Sequence, residues 1–533
     1  MLHLKKHCFI ILLFSFFFGQ ALYTQEPRLV VGIMVDGMQA KHLEQLHERL
    51  GQGGLKKLTT QGTALNRLAC NYVASGNATD IATLTSGTVP YYHAVVGDKV
   101  FKRNTQKVES IFQDNQQSGI ESSLKLSAIN FRASNLIDEL IMANPGQSKA
   151  FAIGLNAEDM IAFGGHAANG VVWMDDEKML WSSTNYYNEG MPWQALDMNV
   201  NGAFNRYVNR IWEPLYQPNT YIAAQFAKKI KPFEYKPSEK ITKQSKQSIL
   251  KSTPSANALV AELALRIFQE HELGMDKYTD ALMLQFTVRT PNEQNLSLQT
   301  LEKEDIYLRL DDELQFLIQK IENKIGTDQV LFVLFGNQTA SYSPEELKAH
   351  GLHTGYFNAN RSIALLNAYL MAVYGYDKWV EGYYGKHIYL NKKLIAEKEI
   401  DFKQMQNLII EFMIEFEGIQ SAHSVQQLMN TAADPNSELA KIRNSIHQHS
   451  AGDIILRLMP GWLEVDDEQK IVGNSNDLIA YLPLWLYGNK MPVQTIKTDY
   501  QVTDISASLS EILNIPRTNA NIGKPIELRQ IKP

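Results

Sequence analysis

Several short runs of apolar residues, each long enough for one buried strand, recur along the chain and predict a central β-sheet. The first is LVVGIMVDG (29–37), in which every position before Asp36 is apolar or glycine. A run without polar alternation is typical of a strand that is covered on both faces, as in parallel α/β sheets. Four later runs share this pattern: SKAFAIGL (148–155), DALMLQFTV (280–288), QVLFVLFG (329–336) and IAYLPLWLYG (479–488).

Segments with apolar residues at helical spacing lie among these runs: LKKLTTQG (55–62), NLIDELIMAN (135–144), LVAELALRIFQEHELG (259–274) and IYLRLDDELQFLIQKIENKIG (306–326). This alternation predicts an α/β fold, a three-layer sandwich with a central, mostly parallel sheet and helices on both faces. Ligands of such sheets bind beyond the carboxyl ends of the strands. The carboxylate of Asp36 is therefore expected where a metal or a phosphate would bind.

Two stretches interrupt the alternation of strands and helices. Residues 167–255 are rich in Asn, Tyr and Trp, and residues 350–450 carry helices around Tyr-rich and Asn-rich loops. The chain has 533 residues, of which 44% are hydrophobic and 20% charged, an ordinary globular composition. We interpret both stretches as cap insertions in a single domain that spans 26–533.

The first 25 residues are typical of an export signal. Lys5 and Lys6 precede the apolar run CFIILLFSFFFG (8–19), and small and polar residues follow up to Gln25. The run is too short to span a bilayer, which takes about 20 residues. We expect cleavage near Gln25, a periplasmic or cell-surface location, and no transmembrane span in the mature chain.

Charge and cysteine content narrow the function classes. The formal net charge of -6 gives no general affinity for nucleic acid. The Lys-rich segment 228–251 is a local exception, which we interpret as a solvated surface loop. Once residues 1–25 are removed, Cys70 is the one cysteine in the sequence, so no intrachain disulfide can form and a core thiol is expected.

Eight motifs in a single order along the chain resemble those of the alkaline phosphatase superfamily. They are LVVGIMVDGM (29–38), GGLKKL (53–58), TSGTVPYYHAVVGD (85–98), GGHAANGVVWMD (164–175), YLRLDDEL (307–314), GDIILRLMPGW (452–462), LPLWLYG (482–488) and NIGKPIEL (521–528). The sequence most resembles the large bacterial periplasmic alkaline phosphatases with a Thr nucleophile, which are related to the nucleotide pyrophosphatase/phosphodiesterases. The resemblance implies two zinc ions that activate the nucleophile and hold the transferring phosphoryl group.

Among the metal-binding positions that the resemblance implies, Asp36 alone keeps a family ligand. Each zinc ion needs about three protein ligands. The other positions fall on Thr290, Gln294, Gly336, Asn337 and Tyr481. None of these is a normal zinc ligand, and the phenol of Tyr481 has an unperturbed pKa near ~10.

The position of the nucleophile is changed as well. It falls on Asn77, whose amide has no oxygen that a metal could convert into an attacking alkoxide. Thr79 and Asp80 are weak alternatives as a displaced nucleophile. We favour their interpretation as the N-cap of a helix, a position that Thr and Asp prefer.

Three positions that contact the substrate phosphate in the family fall on Asp98, Asn156 and Glu158. Two cationic side chains are lost there and two carboxylates are gained. At ~4 Å and an effective dielectric of ~20, each unit change in charge is worth on the order of 4 kcal/mol. The sign of the field around a phosphate dianion would therefore be reversed.

The histidines elsewhere do not predict a replacement metal site. His166 lies in the GGHAAN motif and is interpreted as structural. His350 and His353 are assigned to a capping loop, and His447 and His449 to an exposed polar loop.

Two functional hypotheses follow. The favoured one is an exported pseudoenzyme that has lost phosphatase activity, needs no cofactor and binds a partner or ligand of the cell envelope, such as a protein or a glycan. The aromatic and Asn-rich residues 167–216 offer a surface suited to such a partner. The alternative is a metal-dependent phosphomonoesterase or phosphodiesterase with a rearranged site, in which Thr79 or Asp80 lies near Asp36 and zinc is the expected metal.

Overall fold

A computed structural model describes most of the chain that follows the predicted signal. The described residues are 26–73, 76–187, 190–225, 231–236, 249–291, 300–336, 344–435, 437–473 and 481–528. The predicted signal peptide, most of the Lys-rich segment, Gln294 and Asn337 lie outside them. Within these ranges, no helix is both long enough and apolar enough to cross a membrane.

The strands are short and mostly buried. They are β1 (Leu29–Asp36), β2 (Thr63–Ala69), β3 (Lys99–Lys102), β4 (Lys107–Ser110), β5 (Gly119–Ile120), β6 (Ala150–Gly154), β7 (Gly170–Met174), β8 (Trp181–Thr184), β9 (Asp280–Thr287), β10 (Val330–Gly336), β11 (Tyr356–Asn358), β12 (Val380–Tyr384), β13 (His387–Leu390), β14 (Ile419–Ser424), β15 (Ile454–Leu458), β16 (Leu463–Val465), β17 (Ile471–Gly473), β18 (Tyr481–Gly488), β19 (Gln494–Ile496) and β20 (Tyr500–Gln501).

The α-helices fall mainly between the strands of the central sheet. They are α1 (Ala40–Leu46), α2 (Leu55–Thr60), α3 (Asn77–Ser86), α4 (Pro90–His93), α5 (Leu136–Ala143), α6 (Ala157–Gly164), α7 (Trp193–Val200), α8 (Ala203–Val208), α9 (Pro254–Glu270), α10 (Leu301–Ile325), α11 (Pro344–Ala349), α12 (Ala359–Tyr374), α13 (Lys392–Glu397), α14 (Phe402–Ile414), α15 (Val425–Asn430), α16 (Glu438–Asn444) and α17 (Asp504–Leu513).

The central sheet has the strand order β19-β2-β18-β10-β1-β9-β6-β7-β8-β5, with β20 beside β2. Strands β10, β1, β9, β6 and β7 are parallel to one another, whereas β18 and β8 run antiparallel to their neighbours β10 and β7. Asp36 is the last residue of β1 and pairs with Thr287, while Val35 pairs with Gly336. The mostly parallel sheet is confirmed, and it places the ends of three strands at one edge.

Both faces of the sheet are covered by helices, as the unbroken apolar runs predict. Alternate side chains of β1 point to opposite faces. Leu29 and Val31 belong to a core with residues of α9 and α10, whereas Val30 and Met34 belong to a second core with residues of α3, α6 and α17. The three-layer sandwich is therefore confirmed.

A second, smaller sheet has its own hydrophobic core. Its strand order is β12-β13-β15-β14, and helices α12 and α14 contribute Leu366 and Met405 to the core around Trp379. Most of this unit falls within the cap predicted at 350–450. In the cap predicted at 167–255, strands β7 and β8 instead extend the central sheet. The division into one domain with two caps stays a prediction.

Cys70 is buried and forms no disulfide. It belongs to the core between the sheet and α3. The predicted core thiol is confirmed.

Candidate active site

The carboxylate of Asp36 is paired with an arginine from the neighbouring strand end. Nε of Arg289, two residues beyond β9, lies 2.8 Å from Oδ2 of Asp36. The carboxylate side chain is 11% exposed and the guanidinium 43% exposed. The pair is therefore buried on the Asp36 side and open to solvent on the Arg289 side.

The surroundings of Asp36 keep it ionised. Burial alone would raise the pKa of its carboxyl, but the charge and hydrogen bond of Arg289, the side chain of Asn77 and the charge of Lys303 outweigh burial and lower the pKa below its ordinary value. The ammonium of Lys303 is itself buried and donates a hydrogen bond to the carbonyl oxygen of Val288 at 2.9 Å. Arg289 and Lys303 thus both stabilise the negative charge of Asp36, the one metal-binding position that keeps its family ligand.

Helix α3 begins at Asn77, beside Asp36. Its N-cap residue is Gly76, and a Cβ atom at that position would lie 2.5 Å from Oδ1 of Asp98. The same oxygen of Asp98 accepts a hydrogen bond from the backbone N–H of Ala78 at 3.3 Å. Gly76 is therefore required by the close approach of Asp98, which satisfies a donor in the first turn of the helix.

This arrangement corrects the N-cap interpretation of Thr79 and Asp80. Both residues lie inside the first turn of α3 and are buried, because the helix starts at Asn77. Asp80 accepts a hydrogen bond from the hydroxyl of Tyr72 at 2.6 Å. Asp98, rather than Thr79 or Asp80, accepts the hydrogen bond from a backbone N–H in the first turn of α3.

The carboxylate of Asp159 is buried and accepts hydrogen bonds from three side-chain amides. Its Oδ2 accepts hydrogen bonds from Nδ2 of Asn77 at 3.3 Å, from Nδ2 of Asn156 at 3.1 Å, and from Nε2 of Gln285. Oε1 of Gln285 in turn accepts from the backbone N–H groups of Leu155 and Asn156 at 3.0 and 3.1 Å. The Asn77 amide is thus held by neighbouring side chains rather than presented as a nucleophile.

Burial and neighbouring carboxylates raise the pKa of both Asp98 and Asp159. Burial and the charge of Glu158 raise the pKa of Asp98 to about 7, with smaller contributions from Asp36 and Asp80. Burial and the charge of Asp98 hold the pKa of Asp159 well above its ordinary value. At the two positions where the family resemblance implies phosphate-binding cations, the chain carries Asn156 and Glu158.

Of the other predicted metal positions, Gly336, Thr290 and Tyr481 lie within the described residues, and their side chains are not zinc ligands. Gly336 ends β10, and a Cβ atom there would lie 2.5 Å from the carbonyl oxygen of Met38. The hydroxyl of Tyr481 accepts a hydrogen bond from Arg67 at 3.3 Å, and its ring lies under the same guanidinium. Thr290 follows Arg289 and is partly exposed.

The donor set at this edge does not fit zinc. Within the described ranges, no three His, Cys, Asp or Glu side chains are grouped so that they could hold a metal ion. The sequences of 292–299 and 337–343, which follow β9 and β10, contain one carboxylate, Glu293, and neither His nor Cys. A zinc site with the usual Asp and His ligands cannot be assembled from these residues.

The histidines have structural surroundings. Nε2 of His166 lies 2.9 Å from the carbonyl oxygen of Phe131, and its Nδ1 lies 3.2 Å from the hydroxyl of Tyr186. His353 forms an exposed pair with Glu417 at 3.3 Å. These contacts agree with the structural interpretation of His166 and the loop interpretation of His353.

The sequence interpretation missed four residues that decide the chemistry of this edge, namely Gln285, Arg289, Lys303 and Asp159. The sequence does contain a signal for Arg289. This residue follows β9 by two positions, and β9 pairs with β1 so that Thr287 lies beside Asp36. The signal becomes readable only once that strand order and register are known.

The comparisons with known proteins agree with the fold. The profile of the family described as type I phosphodiesterase / nucleotide pyrophosphatase matches residues 30–475. A protein named calcium-transporting ATPase from Myroides odoratus is 24% identical over 531 residues, which is 96% of each chain. Alkaline phosphatase PafA from Elizabethkingia meningoseptica is 24% identical over 517 residues, which is 94% of each chain.

A solved structure extends the similarity to three dimensions. The crystal structure of wild-type alkaline phosphatase PafA matches with a TM-score of 0.84 at 21% sequence identity, covering 94% of this chain and 98% of that one. The predicted alkaline-phosphatase-like fold is confirmed by this match.

Proposed function

The chain belongs to the type I phosphodiesterase / nucleotide pyrophosphatase family of the alkaline phosphatase superfamily, and we propose that it is a member that has lost metal-dependent phosphoester hydrolysis and acts by binding. In this proposal the protein keeps the fold of the family but lacks its reaction. The sheet and its covering helices match the family fold. Apart from Asp36, the positions that the resemblance assigns to metal binding and to the attack on phosphorus carry other residues.

The observation that carries the proposal is the ion pair between Asp36 and Arg289. A guanidinium remains protonated at any physiological pH and pairs well with a carboxylate. Arg289 therefore supplies the positive charge that a metal ion would otherwise bring to Asp36. A zinc ion would have to displace Arg289 and find further ligands among residues that are not ligands.

Asn77 supports the same conclusion. Its amide nitrogen cannot form a phosphoenzyme, and it donates to Asp159. The edge also lacks the cations that the family resemblance implies for binding a phosphate ester, since Asn156 and Glu158 occupy those positions. Binding and attack on a phosphate group are thus both disfavoured at this edge.

We place the protein in the periplasm or on the cell surface. The support is the N-terminal sequence, in which Lys5 and Lys6 precede an apolar run of signal-peptide length. Its partner would be an envelope protein, a glycan or a small ligand rather than a nucleic acid, since the net charge is -6.

A hydrolase with a rearranged site is the second candidate, and the names of the relatives favour it. PafA is named as an alkaline phosphatase. The geometry weighs against this candidate, because Thr79 is fully buried and Asp80 is bound by the hydroxyl of Tyr72. Neither side chain offers an exposed nucleophile next to Asp36.

Metal content and turnover of the purified mature chain test the proposal. After incubation with zinc, magnesium or calcium and removal of free metal, we expect far less than one metal ion per chain. We also expect no metal-dependent release of nitrophenol from p-nitrophenyl phosphate or bis(p-nitrophenyl) phosphate. Stoichiometric metal together with turnover that Asp36→Ala abolishes and Asp499→Asn leaves unchanged would overturn the proposal, since Asp499 lies in a surface pair with Arg67.

A further inference from the structure

Helix α12 exposes an apolar face, which distinguishes it from an ordinary surface helix. Residues 362–376 contain no charged residue. One side of the helix is buried, and Leu366 and Leu370 belong to the core of the smaller sheet. A surface helix normally carries polar and charged side chains on its other side. The exposed side chains of α12 are instead mostly apolar, namely Ala364, Leu365, Ala368, Ala372 and Val373.

Helix α14 contributes to the same core but has a polar exposed side. Met405 belongs to that core, and the ring of Phe412 stacks on the ring of Tyr369 in α12, with centroids 4.5 Å apart. The exposed side chains of α14 before its last residue are Lys403, Gln404, Asn407 and Glu411. Packing on the smaller sheet therefore does not require an apolar outer face, and that of α12 is specific to this helix.

We propose that the exposed face of α12 binds the same face of a second copy of this chain, in an antiparallel pair around a two-fold axis near Ala368. An uncharged face can meet its own copy without repulsion between like charges. A lipid bilayer is a poorer occupant, because anionic membrane surfaces attract clusters of Lys and Arg. The inference goes beyond the proposed function and does not depend on it, since it concerns a different surface.

Charge complementarity favours the antiparallel arrangement. Arg361 is the one charged residue of α12 and lies in its first turn, where the helix dipole disfavours a cation. In an antiparallel pair, Arg361 would lie near the C-terminal end of the second α12, where the dipole favours a cation. Tyr376, which is 91% exposed just beyond that end, would offer its ring to the guanidinium. A parallel pair would instead place two Arg361 side chains side by side.

The shape of the face also matches its own copy. Ala364, Ala368 and Ala372 recur every four residues, so they lie along one line on the helix. Pairing around Ala368 would bring Ala364 of one copy opposite Ala372 of the other. Small side chains at these positions allow the two helix axes to approach closely. Leu365 and Val373, each 48% exposed, would then be covered beside this line.

The size of the face predicts a weak and reversible dimer. Helix α12 has 16 residues, so it is about 24 Å long and about 10 Å wide. Two faces of this size bury less than the ~1,200 Å² of a standard interface. We therefore expect a dissociation constant on the order of 10–100 μM.

Sedimentation equilibrium of the full mature chain, from about 1 to about 300 μM, tests the inference. We expect a reversible monomer–dimer equilibrium. Ala368→Glu places two carboxylates at the two-fold axis and should raise the dissociation constant at least tenfold. The helix should tolerate this change, because Ala368 is exposed and Glu is a good helix former. Tyr376→Ser, which changes a side chain outside the core, should raise the dissociation constant several-fold.

A mixing experiment tests whether residue 368 faces its own copy. Ala368→Glu and Ala368→Lys should each remain monomeric over this concentration range, because like charges would meet at the axis. An equimolar mixture of the two variants should form a mixed dimer at least as tight as that of the unsubstituted chain. A mixture that stays monomeric would overturn the inference.

The control is Asn407→Glu, which adds the same charge to the polar exposed side of α14, one turn from both Lys403 and Glu411. It should change the dissociation constant less than twofold. A chain that stays monomeric throughout, a dimer that Ala368→Glu leaves intact, or equal weakening by Asn407→Glu would each overturn the inference. Cosedimentation of a monomeric chain with phosphatidylglycerol vesicles, abolished by Ala368→Glu, would assign the face to a bilayer and overturn it as well.

Discussion

Nε of Arg289 lies 2.8 Å from Oδ2 of Asp36, so a strand-end carboxylate at the family's metal position carries an arginine as its counterion. The arginine comes from the segment that follows β9, the strand paired with β1 on one side. The contact compensates the negative charge of the buried carboxylate. It also makes the two residues energetically dependent on each other.

Replacing Arg289 should destabilise the protein through Asp36. Arg289→Gln leaves a buried carboxylate with less countercharge, and we expect a loss of about 1–2 kcal/mol, moderated by the exposure of the guanidinium. The double variant Asp36→Asn, Arg289→Gln should recover most of this loss. Urea denaturation of the four proteins gives the coupling energy.

The matched control for this cycle is Arg517→Gln. Arg517 and Glu511 form a surface pair at 3.2 Å, with both side chains about half exposed. We expect a change below about 0.5 kcal/mol. If Asp36→Asn and Arg289→Gln changed the free energy of unfolding additively, the two residues would not depend on each other.

Restoring a hydroxyl at the nucleophile position should not restore activity. Asn77→Thr introduces the attacking group, but the metal positions at Thr290, Gly336 and Tyr481 keep side chains that do not bind zinc. We expect no turnover of p-nitrophenyl phosphate above the unsubstituted protein, with or without added zinc. Circular dichroism and the melting temperature would verify that the variant is folded, and metal-dependent turnover by it would show that a metal site exists.

The fold could be predicted from the sequence because strands that are buried on both faces appear as unbroken runs of apolar residues. The run that ends at Asp36 predicts a central strand, and the same reasoning identifies the strand that ends at Gly336. The pair between Asp36 and Arg289 was not readable, since it depends on which strands are neighbours and in what register. The start of α3 was misread for a related reason: a distant acceptor, Asp98, takes the place of a local N-cap side chain.

The raised pKa of Asp98 predicts a stability that falls as pH rises. The carboxyl has a pKa of about 7 in the folded chain and an ordinary value of 3.8, so the folded state holds the proton more tightly. Between these two values the folded state binds more protons than the unfolded state, and stability is lost as the pH increases through this window. Asp98→Asn should remove this contribution.

The effect is measurable as a difference between two pH values. We expect Asp98→Asn to be more stable than the unsubstituted protein at pH 8, by on the order of 1 kcal/mol because the side chain is partly exposed, and to gain little at pH 4. Denaturation in urea at both pH values checks it. An equal difference at both would mean that the proton on Asp98 is not responsible.

The smaller sheet should depend on Arg103, which lies just beyond β3 and follows Asp98 by five positions. Its guanidinium bonds Oδ2 of Asp453 at 2.6 Å and Glu381 at 3.1 Å, and lies over the ring of Tyr389. Asp453 is almost fully buried and also accepts from the N–H of Leu390 at 2.7 Å. One arginine thus joins the β3–β4 hairpin to three elements of the smaller sheet.

Arg103→Met should lower the free energy of unfolding by about 2 kcal/mol, less than breaking a fully buried pair usually costs, because Lys392 remains 2.8 Å from Oδ1 of Asp453. Hydrogen exchange should accelerate in β12, β13 and β15 while β1 stays protected. Arg67→Met is the control, since Arg67 and Asp499 form a pair at 2.7 Å in which both side chains are at least half exposed. The free energy of unfolding should fall less for Arg67→Met than for Arg103→Met. Equal losses for the two variants would contradict a role for Arg103 in stabilising the smaller sheet.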